Sequence, residues 1–170
     1  MDFEAVVKNR HSIRAFLQKE IEEEKLKKIL ELANLAPSAG NLQAYEIFVV
    51  KDKVKKEKLA FAAYSQDFIK EAPIVLVFCA NPSRSEIKYG ERGRDLYCIQ
   101  DATIACTFAM LAATSLGLGC CWVGAFDEEM VKSILKVKNL KPIAILPIGY
   151  PAEKPYITKR RDLNDIVHKI

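Results

Sequence analysis

Hydrophobic positions along this chain fall into blocks with two different periods. Phe3, Val6 and Val7 repeat at helical spacing and lead into a short basic run, RHSIR, at 10–14. Leu26, Ile29, Leu30 and Ala33 mark the apolar face of a second helix over about 22–36, with acidic residues in its first turn and Pro37 ending it. YEIFVV at 45–50 and APIVLVFCA at 72–80 are unbroken apolar, β-branched runs of strand length. Between them, 54–63 and 65–71 carry helical patterns. The stretch PSAGNLQ, rich in small and turn-forming residues, feeds the first of these strands and is a natural place for function.

The segment from Asp95 to Leu116 is apolar almost all round, so a helix there needs cover on every side. A chain this short has little material to wrap it, and burial against a second copy is the expectation. Gly117 and Gly119 then break the helix, CCWVGAF gives a short extended segment, Asp127 caps a helix ending near Val137, and PIAILPIGYP supplies a third strand over 142–151. The polar segment 81–94, with two glycines, reads as a mobile excursion near the site. The order of elements gives an α+β class around a mixed sheet, in one domain spanning 1–170, without repeats or linkers.

Composition narrows the function classes. The chain has 170 residues, 50% hydrophobic and 28% charged, which suits one globular unit. Its 26 basic residues interleave with 22 acidic ones for a net charge of +4, so no basic stripe argues for nucleic acid. Cys79, Cys98, Cys106, Cys120 and Cys121 lack metal-ligand spacing, and the only histidines are His11 and His168. They read as reduced core residues of a soluble, cytoplasmic protein, since neither a signal peptide nor a membrane span is evident.

Two basic clusters remain, Arg10, Ser12 and Arg14 near the start and Lys159, Arg160 and Arg161 in the tail. Guanidinium forks match phosphate oxygens two at a time, and converging on one anion would give both clusters a purpose. No dinucleotide, nucleotide triphosphate, zinc-protease or triad signature is present. An enzyme with this sequence therefore depends on a cofactor for its chemistry.

The order and spacing of RHSIRAF, APSAGNLQAYEIFVV, YGERGRDLYCIQDATIACTFAMLAATSLGLGCCWVGAF, LPIGYPAEKP and the KRR and IVH elements of the tail resemble the flavin-dependent nitroreductase family, from about Phe3 to His168. The resemblance implies an α+β, nitroreductase-like fold with a central mixed or antiparallel sheet flanked by helices. It also implies a homodimer with a long buried central helix and two FMN molecules in clefts at its interface, with NADH or NADPH as transient electron donor. On the same ground Arg10 and Ser12 contact the FMN phosphate or ribityl chain, with His11 alongside. Arg14 reaches the pyrimidine edge of the ring, where a cation stabilises the charge that reduction brings. Ser38, Ala39 and Asn41 match a loop reaching across from the partner subunit, and Gln43, just after it, helps hold that loop or the flavin. Val123 and Gly124 match the segment lying against the ring, where glycine permits close approach. Lys159 and Arg161 match a terminal pair on the phosphate, with Arg160 facing solvent.

The activity so implied is an NAD(P)H-dependent flavin oxidoreductase working by ping-pong hydride transfer to nitroaromatic, quinone or similar small-molecule acceptors. Two alternatives stay open: dehalogenation or flavin fragmentation within the same superfamily, and a flavin-binding module without turnover. No catalytic acid or base and no metal site is assigned. The chain departs from the family's turn pattern PSSxNxQPW, reading PSAGNLQAY, and its 81–94 excursion is short, which leaves the acceptor open. Cys120 and Cys121 read as packing residues rather than a redox pair.

Overall fold

The computed structural model describes residues 1–170. Its centre is a four-stranded sheet ordered β1-β2-β4-β3, with β1 at Tyr45–Val50, β2 at Ile74–Ala80, β3 at Gly119–Cys120 and β4 at Lys141–Gly149. All three strand pairings are antiparallel. The one parallel contact is an isolated bridge between Ser12 and Cys120, which lays the N-terminal segment along the β3 edge. The strand order thus leaves β1 at one edge of the sheet and β3, with the 10–14 segment, at the other.

β2 is buried along its whole length because both of its faces are covered. Successive side chains point to opposite faces, so Ile74, Leu76, Phe78 and Ala80 join one apolar cluster and Val75, Val77 and Cys79 the other. The first cluster is closed by α2 (Glu23–Asn34) and α6 (Cys98–Ser115), the second by α3 (Lys53–Ala62), α4 (Phe68–Glu71) and α7 (Glu128–Leu135). Asp127 caps α7, its carboxylate accepting from Met130 N at 2.8 Å. α1 (Phe3–Asn9), capped by Asp2, packs against α6.

α6 lies close on the sheet because its inner face is made of small residues: Ala102, Ala105, Cys106, Ala109 and Ala113 are fully buried. It ends at Gly117, whose φ of 76° lets the N–H groups of Gly117 and Leu118 reach the carbonyls of Thr114 and Ala113 at 3.1 and 2.9 Å. Its outer stripe, Gln100, Thr103, Ile104, Thr107, Phe108 and Leu111, stays partly or wholly exposed. The continuous helical run Pro82–Ser115 that contains α6 is long and apolar enough to cross a membrane, but in this fold α6 is a core helix.

The 81–94 segment is not the irregular excursion its polarity suggests. Asn81 caps α5 (Pro82–Arg92), with Pro82 in the first turn where its missing N–H costs nothing. Gly90 (φ 56°, ψ −144°) kinks it, and a π-helical turn, Gly93–Tyr97, passes the chain into α6. Gly93 is required by contact: a Cβ there would lie 2.4 Å from the Ser85 carbonyl oxygen. Beyond Pro151 the tail is exposed throughout, with a single 3-10 turn at Leu163–Asp165.

Candidate functional site

The 10–14 run is extended and held by its backbone. Ile13 donates to the Cys120 carbonyl at 3.0 Å, and its side chain packs so tightly on Gly119 that a Cβ there would stand 2.8 Å from Ile13 Cγ1. With Ile13 buried, the period of an extended chain turns Arg10, Ser12 and Arg14 to the opposite side. Neither guanidinium has a carboxylate within ion-pair distance. The Arg14 guanidinium stands 6.0 Å from the centre of the Phe68 ring, and its backbone N–H donates to the Glu153 carboxylate. His11 is half-buried beside them. The result is a patch with two guanidinium groups free of ion pairs and a hydroxyl between them, which suits an anion such as a phosphate.

The neighbouring thiols are buried. Burial pushes Cys120 up to about 12. Burial also raises Cys121, against the opposing pull of Arg14, Ser12 and Arg10. Both residues are buried and burial favours the protonated thiol, which fits them as packing residues.

Val123 is buried, and both its backbone groups are taken: its N–H donates to Ile145 O at 2.9 Å and its carbonyl accepts from Ile145 N at 3.0 Å. It therefore has no free amide to offer a ligand. Gly124 is exposed and is the member of this pair whose backbone is open to a flat ring; a Cβ added there would meet the Trp122 indole nitrogen at 3.1 Å.

Ser38, Asn41 and Gln43 form a closed set. Ser38 Oγ accepts from Gln43 N at 2.9 Å, and Gln43 Nε2 donates to Asn41 Oδ1 at 2.6 Å. Gln43 thus holds the loop. Gly40, Asn41 and Gln43 all have left-handed backbones, at φ 57°, 57° and 44°. Ala39 N donates to Asp101 Oδ1 at 2.9 Å, and α5 covers the loop from the other side, with Arg84 Nε on the Leu42 carbonyl at 2.6 Å. A cleft of about 600 Å³ opens here, lined by Ser38, Ala39, Tyr97, Gln100, Asp101 and Ile104 among others.

These two groups do not meet within one chain. Cys120 pairs with Ile148 on β4, while Tyr45, just past the loop, pairs with Ala80, itself paired with Lys141 at the other end of β4. The 10–14 segment and the 38–43 loop therefore sit at opposite edges and opposite ends of the sheet. Four strand spacings of about 4.8 Å and seven residues of about 3.3 Å put them roughly 30 Å apart. α6 spans the same diagonal, with Asp101 near its start and the turn to β3 at its end.

The tail leaves β4 beside the first group. Leu17 N donates to Tyr150 O at 2.8 Å and Ala152 N to Ala15 O at 2.9 Å, which ties the two ends of the chain together. Lys159 and Arg161 lie farther along the exposed part. Arg161 donates to the Asp165 carbonyl at 2.8 Å, and no hydrogen bond joins either residue to Arg10, Ser12 or Arg14 within the chain.

Comparison with known proteins defines the class. The model of the nitroreductase family matches residues 7–66 and 58–150. A Thermus thermophilus NADH dehydrogenase is 30% identical, covering 98% of this chain and 95% of that protein. A Bacillus subtilis FMN reductase (NAD(P)H) is 32% identical over 86% of this chain and 64% of its own length. The crystal structure of a nitroreductase family protein from Clostridium novyi NT matches with a TM-score of 0.82 and 33% identity, over 90% of this chain and 87% of that one. Fold and relatives together describe an NAD(P)H-dependent flavin oxidoreductase. Within that class, the chain belongs to the nitroreductase family.

The residues that sequence reasoning passed over are Asp101, Glu153 and the α5 side chains over the loop. Asp101 carried a signal: it is the only charge in a helix otherwise apolar on every face, and a buried charge calls for a partner.

Proposed function

We propose that this chain is one protomer of a homodimer that binds FMN in two interfacial clefts and passes hydride from NADH or NADPH to a small flat acceptor, a nitroaromatic or a quinone, in ping-pong order. The observation that carries the reading is the face of Arg10, Ser12 and Arg14, whose guanidinium groups make no ion pair although Glu153 accepts from the Arg14 backbone N–H, set diagonally across the sheet from the 38–43 loop. A two-fold axis running the α6 helices of two copies antiparallel would bring the loop of one against the arginines of the other. The exposed stripe of α6 has the i, i+3, i+4, i+7 spacing that such a contact needs.

Bound FMN would supply the hydride store; the chain supplies position and charge. Arg10 and Ser12 hold the phosphate, with His11 alongside and Lys159 and Arg161 closing on it from the tail. The residues present fit that dianion, since neither guanidinium of the 10–14 face is held in an ion pair, the nearby Glu153 carboxylate being taken up by the Arg14 backbone N–H. Arg14 faces the pyrimidine edge and stabilises negative charge there. Val123 fixes the strand and Gly124 lets the backbone approach the ring. Ser38, Ala39, Asn41 and Gln43 of the partner close the other side. Five free cysteines accord with a reducing cytoplasm as the place of action.

The test is to saturate the purified protein with FMN, exclude oxygen and add NADH or NADPH. Flavin absorbance should bleach with at least one donor and return on adding menadione or nitrofurazone. Protein that takes up no FMN, or bound FMN that neither nucleotide reduces, overturns the reading.

A further inference from the structure

Asp101 is the only charged residue of α6 and is 2% exposed. No lysine, arginine or histidine pairs with it. Its two oxygens go to the two ends of the 38–44 loop: Oδ1 accepts from Ala39 N at 2.9 Å and Oδ2 from Ala44 N at a longer 3.4 Å. Between these anchors lie three left-handed residues, Gly40, Asn41 and Gln43. Two of them carry side chains, and such backbones persist only where the surroundings over-determine them. The internal bonds of Ser38, Asn41 and Gln43 shape the loop but do not attach it to the protein; Asp101 does so from the core helix through the loop's two backbone N–H ends, while Arg84 of α5 holds the Leu42 carbonyl from the other side. The same carboxylate lines the 600 Å³ cleft beside Ser38 and Ala39.

We propose that Asp101 is a positioning residue that presets the 38–44 loop in the shape in which it meets the partner's flavin. A carboxylate is the group the geometry asks for, because two acceptor oxygens are needed for two N–H donors. An asparagine of the same size would turn an NH2 toward one of them. The functional half of this proposal rests on the FMN reading given above; the clamp itself does not.

Two measurements on Asp101→Asn and Asp101→Ala keep those halves separate. In the FMN-free protein, amide hydrogen exchange at Ala39 and Ala44 should quicken about tenfold or more, while the β2 amides of Val75 and Val77 keep their protection. In FMN-saturated protein, kcat should fall about tenfold with KM for the nucleotide within about twofold, and Asp101→Asn should fall less than Asp101→Ala, as expected for misplaced reactants. If Asp101→Ala fails to fold, Asp101→Asn carries both comparisons. Unchanged exchange at both amides overturns the clamp. Faster exchange with unchanged kcat and unchanged FMN affinity overturns its role in the reaction. Wild-type protein that takes up no FMN contradicts the proposed function and its dependent half here, with the exchange result still deciding the clamp.

Discussion

Gly40 is held at a left-handed backbone that a side chain adopts only under strain. At φ 57° an added Cβ would stand 2.5 Å from Tyr89 Oη and 2.8 Å from Lys88 Nζ, side-chain tips that can swing aside, so the left-handed backbone is what disfavours a side chain here. Gly40→Ala should cost about 1–2 kcal/mol in urea unfolding, with an unchanged m-value. Arg10 makes the complementary case, a residue whose removal should leave stability alone. Arg10→Ala should weaken FMN binding about tenfold or more, the scale of a charge-assisted hydrogen bond. Raising salt should weaken wild-type binding more steeply than binding by the variant, because the lost ion pair is the screened one. Isothermal titration at two salt concentrations checks both. The basic run and the small-residue loop were legible in the sequence because each is a local pattern. The work of Asp101 was not, since its partners lie 62 and 57 residues away.

At the scale of elements, β2 and α6 carry the fold. Phe78 is fully buried under the first cluster, and Phe78→Ala should cost about 3–5 kcal/mol by denaturant unfolding. The buried thiols give the sheet a pH signature. Burial raises Cys79 on β2 and Cys120 on β3 to about 12, above the ordinary thiol value of about 8.5. Above that ordinary value the unfolded chain releases these protons while the folded one keeps them, so stability is intact below about pH 8.5 and is lost as pH rises toward 12. Each thiol should contribute a slope of about 1.4 kcal/mol per pH unit there, and Cys120→Ala should unfold with a shallower dependence between pH 9 and 11. The strands, α6 and the Asp127 cap were readable because burial on both faces and a capping carboxylate leave marks in a short window. α5 was misread as an excursion. Its start signals, Asn81 and Pro82, are in the sequence, but Gly90 and Gly93 look like loop residues until the Ser85 contact that demands Gly93 is seen.

For the whole molecule, the diagonal separation of the 10–14 segment and the 38–43 loop is the governing fact. No local pattern reveals it, because it follows from the strand order β1-β2-β4-β3 and the register of β4 with both neighbours. A site shared across two copies makes a sharp prediction for mixed dimers. Arg10→Ala chains are combined with chains carrying Gly40→Ala and Asn41→Ala, the mixed dimer is purified through two different tags, and tightly bound FMN is counted per dimer. If each site takes its arginines from one protomer and its loop from the other, one site carries both lesions and one carries neither. The mixed dimer should then hold one tightly bound FMN, where either parent at the same FMN concentration holds none. A mixed dimer with no tightly bound FMN, or two chains that never associate, would contradict a cleft built between protomers.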